Sequence, residues 1–133
     1  MKLTGNTIFI TGGGSGIGRG LAEALHKLGN QVIISGRRKA ILDETTAANP
    51  GMASVELNIE DPASIASVAA RLVAEYPSLN VLINNAGIMQ VDDLAGDVND
   101  ELIASTIATN LMGPIRLTGS LADFEPSGAK AIV

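Results

Sequence analysis

Apolar positions along this chain follow two rhythms. Short unbroken runs, Thr7-Ile8-Phe9-Ile10, Val32-Ile33-Ile34-Ser35 and Val81-Leu82-Ile83, predict strands buried on both faces. Between them apolar residues recur three and four apart, the period of a helix with one face turned inward. The first such stretch places Ile17, Leu21, Ala24, Leu25 and Leu28 on one predicted face, and Gly29-Asn30 stops it. A second helix is predicted over 39–48, ended by Asn49-Pro50-Gly51, and a short strand over 54–57. Asp61 then caps a third helix that begins with Pro62. Its apolar face is Ile65, Val68, Ala69, Leu72, Val73 and Tyr76, and Pro77 ends it. A long helix is predicted from near Asn99 to about Leu121, kinked at Gly113-Pro114, and a last strand over 129–133 after a turn at 125–128.

Strands alternating with helices imply an α/β fold with a parallel sheet and right-handed crossovers. The expected architecture is a Rossmann-like, doubly wound sheet of five strands in the order 3-2-1-4-5. The first two helices would cover one face, and the third and fourth the other. No repeat or linker divides residues 1–133, so one domain is expected.

Composition narrows this picture. Apolar residues make up 46% of the chain, which excludes disorder, and aromatics only 2%, so the core must be aliphatic. A net charge of −5 with no basic stripe argues against a nucleic-acid surface. One histidine and no cysteine argue against zinc and exclude thiol chemistry. The start, Met1-Lys2-Leu3-Thr4-Gly5, has no signal-peptide pattern, and no apolar run is long enough for a membrane span. A cytoplasmic protein with no membrane partner is the expectation.

The chemistry begins at Thr11-Gly12-Gly13-Gly14-Ser15-Gly16-Ile17-Gly18, between the first strand and the first helix. Glycines let a backbone turn tightly and approach a ligand, and helix N-terminal N–H groups then face an anion. A glycine pattern alone also fits a bare turn. Its context, with a second strand ending about 20 residues on, is that of a dinucleotide site. Sites that choose NAD place an acid at that second strand end to bind the ribose 2′-OH. Here the strand runs into Gly36-Arg37-Arg38. Guanidinium groups bind a 2′-phosphate, which an acid would repel, so NADP is favoured over NAD. The alternative is two solvated arginines on a turn.

Thr11-Gly12-x-x-x-Gly16-Ile17-Gly18 together with Asn84-Asn85-Ala86-Gly87 resembles the short-chain dehydrogenase/reductase family, and in particular its bacterial oxidoreductases. The resemblance implies that Gly12, Gly16 and Gly18 pass under the pyrophosphate, with contacts from Ser15 and Ile17. It implies Arg37 on the 2′-phosphate with Arg38 near it. Asn58-Ile59 stands where the family commonly has Asp-Val beside the adenine amino group, and the Asn58 carboxamide oxygen can still accept from that group. Asn85, Ala86 and Gly87 would line the adenine–ribose side.

The resemblance also makes Asn110 the asparagine of the family's catalytic tetrad. Helical spacing groups it with Ile103, Ile107, Leu111 and Pro114, which predicts that it faces inward and needs a polar partner. A structural asparagine serving the Pro114 kink is the alternative. His26 reads as a surface residue, the acidic stretch over 91–100 as a solvated loop, and Met89 and Met112 as core filling.

In the family the fifth strand leads to a catalytic serine and then a Tyr-x-x-x-Lys helix. The only tyrosine here is Tyr76, four residues before Asn80, and Ser120 and Ser127 precede the last strand. Of the tetrad only Asn110 has a match. The expectation is therefore the NADP(H)-binding portion of an oxidoreductase, truncated and inactive by itself. The alternatives are a minimal Rossmann-like scaffold with no occupied site and an interaction module. With no helix over strands four and five on one face, Val81, Ile83 and Ile132 are expected to form an exposed patch. A homo-oligomer is then expected, through that face or the fifth-strand edge.

Overall fold

The computed structural model describes residues 2–90, 96, 98–122 and 131–133. A parallel five-stranded sheet runs in the order β3-β2-β1-β4-β5. Its strands are β1 (Thr7–Thr11), β2 (Gln31–Gly36), β3 (Ala53–Glu56), β4 (Leu79–Ile83) and β5 (Ala131–Ile132). The helices are α1 (Gly16–Lys27), α2 (Lys39–Ala48), α3 (Pro62–Glu75), α4 (Asp100–Ile107) and α5 (Gly113–Ala122). A π-helical turn, Ala108–Met112, joins α4 to α5. The acidic stretch over 91–95 and at 97, and the turn over 125–128, lie outside the described residues, as do positions 129 and 130 of the last strand.

β1 is the centre of the sheet because its side chains are apolar on both faces. Ile8, Phe9 and Ile10 are fully buried, and each such side chain contributes about 1.5–3 kcal/mol on leaving water. Ile8 and Ile10 point to the α1–α2 side, where they pack with Val32, Ile34, Ala22, Leu25 and Leu42. Phe9 points to the α3–α5 side and meets Ile33, Leu72, Leu82 and Leu117.

Three expectations about faces fail in whole or in part. The buried face of α1 is Gly18, Ala22 and Leu25, while Ile17 is 85% exposed and Leu21 and Leu28 are also exposed. The N-terminal end of α1 comes too close to the end of β1 for a side chain at Gly18, so small residues face inward there, with Leu25 buried further along. The outer face of the last long helix is Ile103, Ile107 and Leu111, all exposed. Thr109, Gly113, Leu117 and Leu121, four apart, carry its inner face. Finally, Val81 and Ile83 are buried at 2% and 7%, because they pair with Ile8 and Ile10 and share their cluster with α1. Ile132 pairs with Leu82, so it lies on the opposite face and is exposed. No patch of these three residues exists.

The expected kink takes the form of the π-helical turn. Pro114 cannot donate to the carbonyl of Asn110, and the extra residue of a π turn resets the ladder ahead of it. At the opposite end of the sheet, Asn30 ties three segments together. Its Nδ2 donates to Leu25 O and Leu3 O, both at 2.8 Å, and its Oδ1 accepts from Asn6 N at 2.9 Å. Among the described residues no helix is long and apolar enough to cross a membrane.

Candidate functional site

A cavity of about 480 Å³ opens at the C-terminal ends of β1, β2, β3 and β4. That is where the strand order reverses in an open α/β sheet and where such sheets bind ligands. One rim is the glycine stretch, with Gly12, Ser15, Ile17 and Gly18 in the lining. Geometry requires several of its glycines, Gly12 and Gly18 most clearly at the cavity. Gly12 has φ 66°, a conformation side chains resist, and a Cβ there would lie 3.0 Å from Ala86 Cα. A Cβ on Gly18 would lie 2.2 Å from the Gly12 carbonyl oxygen and 2.3 Å from Asn85 Nδ2. Gly16 sits at the bend itself and does not line the cavity.

The glycine stretch is clamped to the end of β4. Thr11 Oγ1 accepts from the Asn85 and Ala86 N–H groups, both at 3.0 Å. Asn85 Nδ2 donates to Thr11 O at 3.0 Å and Gly12 O at 3.3 Å. So Asn85 holds two walls of the cavity together, and it lines the cavity with Ala86 and Gly87. The first turn of α1 contains no acidic residue, and Ser15 makes no side-chain cap. The first N–H groups of such a helix lack partners within it, and here no side chain of its own first turn offsets the positive end of the dipole; Ile17 and Gly18 of that turn line the cavity.

Arg37 and Arg38 line the opposite rim and are exposed. Among the described residues neither makes an ion pair; Arg19, by contrast, is tied to Glu23 and Glu44, both at 2.9 Å. Ser35, fully buried at the end of β2, lines the same cavity, and its Oγ has no hydrogen-bond partner. An unpartnered buried hydroxyl costs about 1–3 kcal/mol, so a ligand or water that bonds it gains accordingly. The cavity thus offers helix-end amides for a pyrophosphate, two free guanidinium groups for a further phosphate, and the unpartnered Ser35 Oγ as a hydrogen-bonding site. The residues fit a dinucleotide.

Asn58 is placed differently from Ile59. Ile59 is buried and lines the cavity, but the Asn58 side chain is exposed, and its Oδ1 accepts from Glu60 N at 3.2 Å in a tight local turn. Glu60 lines the cavity instead. Its Oε1 accepts from Thr109 Oγ1 at 2.6 Å and Ser105 Oγ at 2.8 Å. These two hydroxyls, Thr109 first, hold its carboxyl below the ordinary range, with a smaller pull from the Arg37 charge. Ser35, Glu60 and Thr109 were missed in the sequence, and Thr11 entered only as the first residue of the glycine motif. Ser35 near the end of β2 could have been suggested by its position; Glu60, four residues beyond β3, carries no such signal.

Asn110 is exposed rather than inward-facing, yet both ends of its carboxamide are engaged. Oδ1 accepts from Ile88 N and Nδ2 donates to Ile88 O, both at 2.8 Å. Its carboxamide therefore ties the π-helical turn to the loop after β4. His26 Nε2 lies 3.1 Å from Pro50 O and ties α1 to the turn after α2. Met89 and Met112 are exposed at 92% and 41%, so neither fills the core. Both lie beyond the tightly packed inner positions of their segments. Among the described residues no group of three His, Asp or Glu side chains is placed to hold a metal ion.

A family model described as short chain dehydrogenase matches residues 6–132. The uncharacterized oxidoreductase DltE of Bacillus subtilis (strain 168) is 38% identical over 119 residues, 89% of this chain and 47% of that protein. The 3-oxoacyl-(acyl-carrier-protein) reductase FabG of Escherichia coli (strain K12) is 38% identical over 122 residues, 89% of this chain and 48% of that protein. Among solved structures, a short-chain dehydrogenase from Streptomyces avermitilis superposes with a TM-score of 0.87 at 32% identity, covering 96% of this chain and 48% of that one. The 3-ketoacyl-(acyl-carrier-protein) reductase from Brucella melitensis complexed with NADH superposes at 0.85 with 27% identity, covering 92% and 51%. The chain spans about half the length of these relatives.

Proposed function

The chain belongs to the short-chain dehydrogenase family, and from that premise we propose that it is the NADP(H)-binding portion of a carbonyl- or alcohol-acting oxidoreductase. One observation carries the choice of NADP over NAD. Where an NAD site would put an acid, β2 ends in Gly36, followed by two arginines that line the cavity and have no ion-pair partner among the described residues. A 2′-phosphate placed there meets free guanidinium donors, and charge-assisted hydrogen bonds of this kind are about twice as strong as neutral ones. The Brucella relative holds NADH, so the family relationship supports a nicotinamide dinucleotide and Arg37 supports the phosphate.

When bound, the cofactor supplies the hydride; this chain's residues bind and orient it. The α1 N-terminus takes the pyrophosphate, Arg37 the 2′-phosphate, and the Thr11–Asn85 clamp sets the width of the cavity. Proton donation to a carbonyl needs a positioned acid. Tyr76, the only tyrosine, lies on the α3 side of the core, away from the cavity, and Asn110 is occupied by Ile88. We therefore expect binding without turnover from these 133 residues. A fluorescence titration tests the reading: NADPH emission rises saturably on addition of the chain. No change at millimolar protein and cofactor would favour an empty scaffold.

Self-association is a second expectation, favoured by the exposed Ile132 at the β5 edge and by Ile103, Ile107, Leu111 and Ile115 on the outer helix face. Sedimentation that is independent of concentration would contradict it.

A further inference from the structure

We propose that Thr45, a buried residue of α2 that does not line the cavity, is a positioning residue for the cofactor: it holds the glycine stretch at a set distance from the two arginines and so sustains the preference for a 2′-phosphate. The proposal rests on the NADP(H) reading above. The pyrophosphate and the 2′-phosphate of one NADPH hang on the same ribose, so covalent geometry limits their spacing. The protein receives them on different elements. The glycine stretch and α1 are assigned to the first, Arg37 and Arg38 to the second, and Arg38 is the N-cap residue of α2. NADH makes only the first demand.

Thr45 joins these elements. Its Oγ1 lies 2.9 Å from Ile41 O, one turn back in α2, and 3.3 Å from Gly14 O. A hydroxyl carries one proton, shared here between two carbonyls. The bond to Ile41 is an ordinary back-bond within a helix. The bond to Gly14 spans 31 residues of sequence, and among the described residues no other hydrogen bond reaches that carbonyl. Gly14 also packs near the start of α2: a Cβ there would lie 3.1 Å from Ile41 Cγ2 and 3.3 Å from Leu42 Cδ2. Apolar contact is non-directional and lets one element slide on another, whereas a hydrogen bond fixes their register. Two neighbouring ties leave this task to Thr45. Gly13 N donates to Ser35 O at 3.0 Å, which holds the end of β2 but not α2. Arg19 Nη1 bonds Glu44 Oε1 at 2.9 Å and joins α1 to α2, but Glu44 is exposed, and such pairs contribute little.

The test measures NADPH and NADH dissociation constants by fluorescence titration for the parent 133-residue chain, Thr45→Val and Thr45→Ser. Valine keeps the branched shape and removes the hydroxyl; serine keeps the hydroxyl. The preference for NADPH over NADH should fall about twofold to tenfold in Thr45→Val, the worth of one hydrogen bond, and return in Thr45→Ser. The ratio is the readout because partial unfolding weakens both cofactors equally, so a threonine that merely supports the fold would leave it unchanged. Thr45→Ala carries the same comparison if the valine variant does not fold. An unchanged ratio in the variant without a hydroxyl, or a serine variant that behaves like it, overturns the proposal and leaves the NADP(H) reading in place. A parent chain that binds the two cofactors equally, or binds neither, overturns that reading and this proposal with it.

Discussion

Asn110 holds Ile88 by both polar groups of one residue: its oxygen takes the N–H and its amide the C=O, each at 2.8 Å. This pairing imitates one rung of a sheet and joins the π-helical turn to the loop that forms a wall of the cavity. Its neighbour Thr109 bonds Glu60 on the other side. Two successive residues of the irregular turn thus hold two different loops, and an ideal helix would point them about 100° apart without this local widening.

Replacing Asn110 with Ala should therefore release the loop. Two hydrogen bonds at an exposed site contribute about 1–2 kcal/mol together. The expected result is a matching fall in urea stability, with faster hydrogen exchange at the Ile88 amide. Unchanged Ile88 exchange would contradict the role assigned to Asn110.

Gly18 and Gly20 give opposite predictions although they lie two residues apart on α1. A Cβ at Gly18 would strike the Gly12 carbonyl at 2.2 Å, so Gly18→Ala should destabilise by about 1–3 kcal/mol and weaken NADPH binding. Gly20 has no atom within 4 Å of its added Cβ, so Gly20→Ala should stabilise by up to about 1 kcal/mol through helix propensity. Urea midpoints of the two variants check both signs.

Glu60 makes stability depend on acid. Its carboxyl is held below the ordinary value of 4.5 in the folded chain, by Thr109 and then Ser105, so folding favours the ionised form. The contribution is fully present above 4.5, the unfolded value, and is lost as pH falls through the lower folded value. Thr109→Val should make the decline below pH 4.5 shallower, read as urea midpoints across the acid range. An identical acid profile in the variant would contradict the assignment.

Much of the fold was legible because several signals agreed. β1, β2 and β4 are unbroken apolar runs, Asp61 and Pro62 mark the start of α3, and 39–48 is α2 to the residue. The faces were harder. On α1 the buried positions include Gly18 and Ala22, chosen for close approach, so the larger residues Ile17 and Leu21 suggested the wrong side. For Ile132 the β4–β5 register decides the face, and a two-residue strand carries no pattern from which to read it. The cavity lining was legible near strand ends: Gly12 and Gly18, which close approach dictates, and Arg37, just after β2, all line it. It was not legible at Glu60, because an acid after a strand reads as solvated loop until the fold sets Ser105 and Thr109 against it.

Arg37 is proposed to make this cavity a site for NADP(H). The direct measurement is the ratio of NADH to NADPH dissociation constants for the parent chain and for Arg37→Ala. A hydrogen-bonded charge pair lost at a rim costs about 1.5–3 kcal/mol, roughly tenfold to a hundredfold in affinity. The parent chain should favour NADPH, and Arg37→Ala should lose that much NADPH affinity while NADH binding changes little. Equal losses for both cofactors, or a parent chain that prefers NADH, would contradict the account.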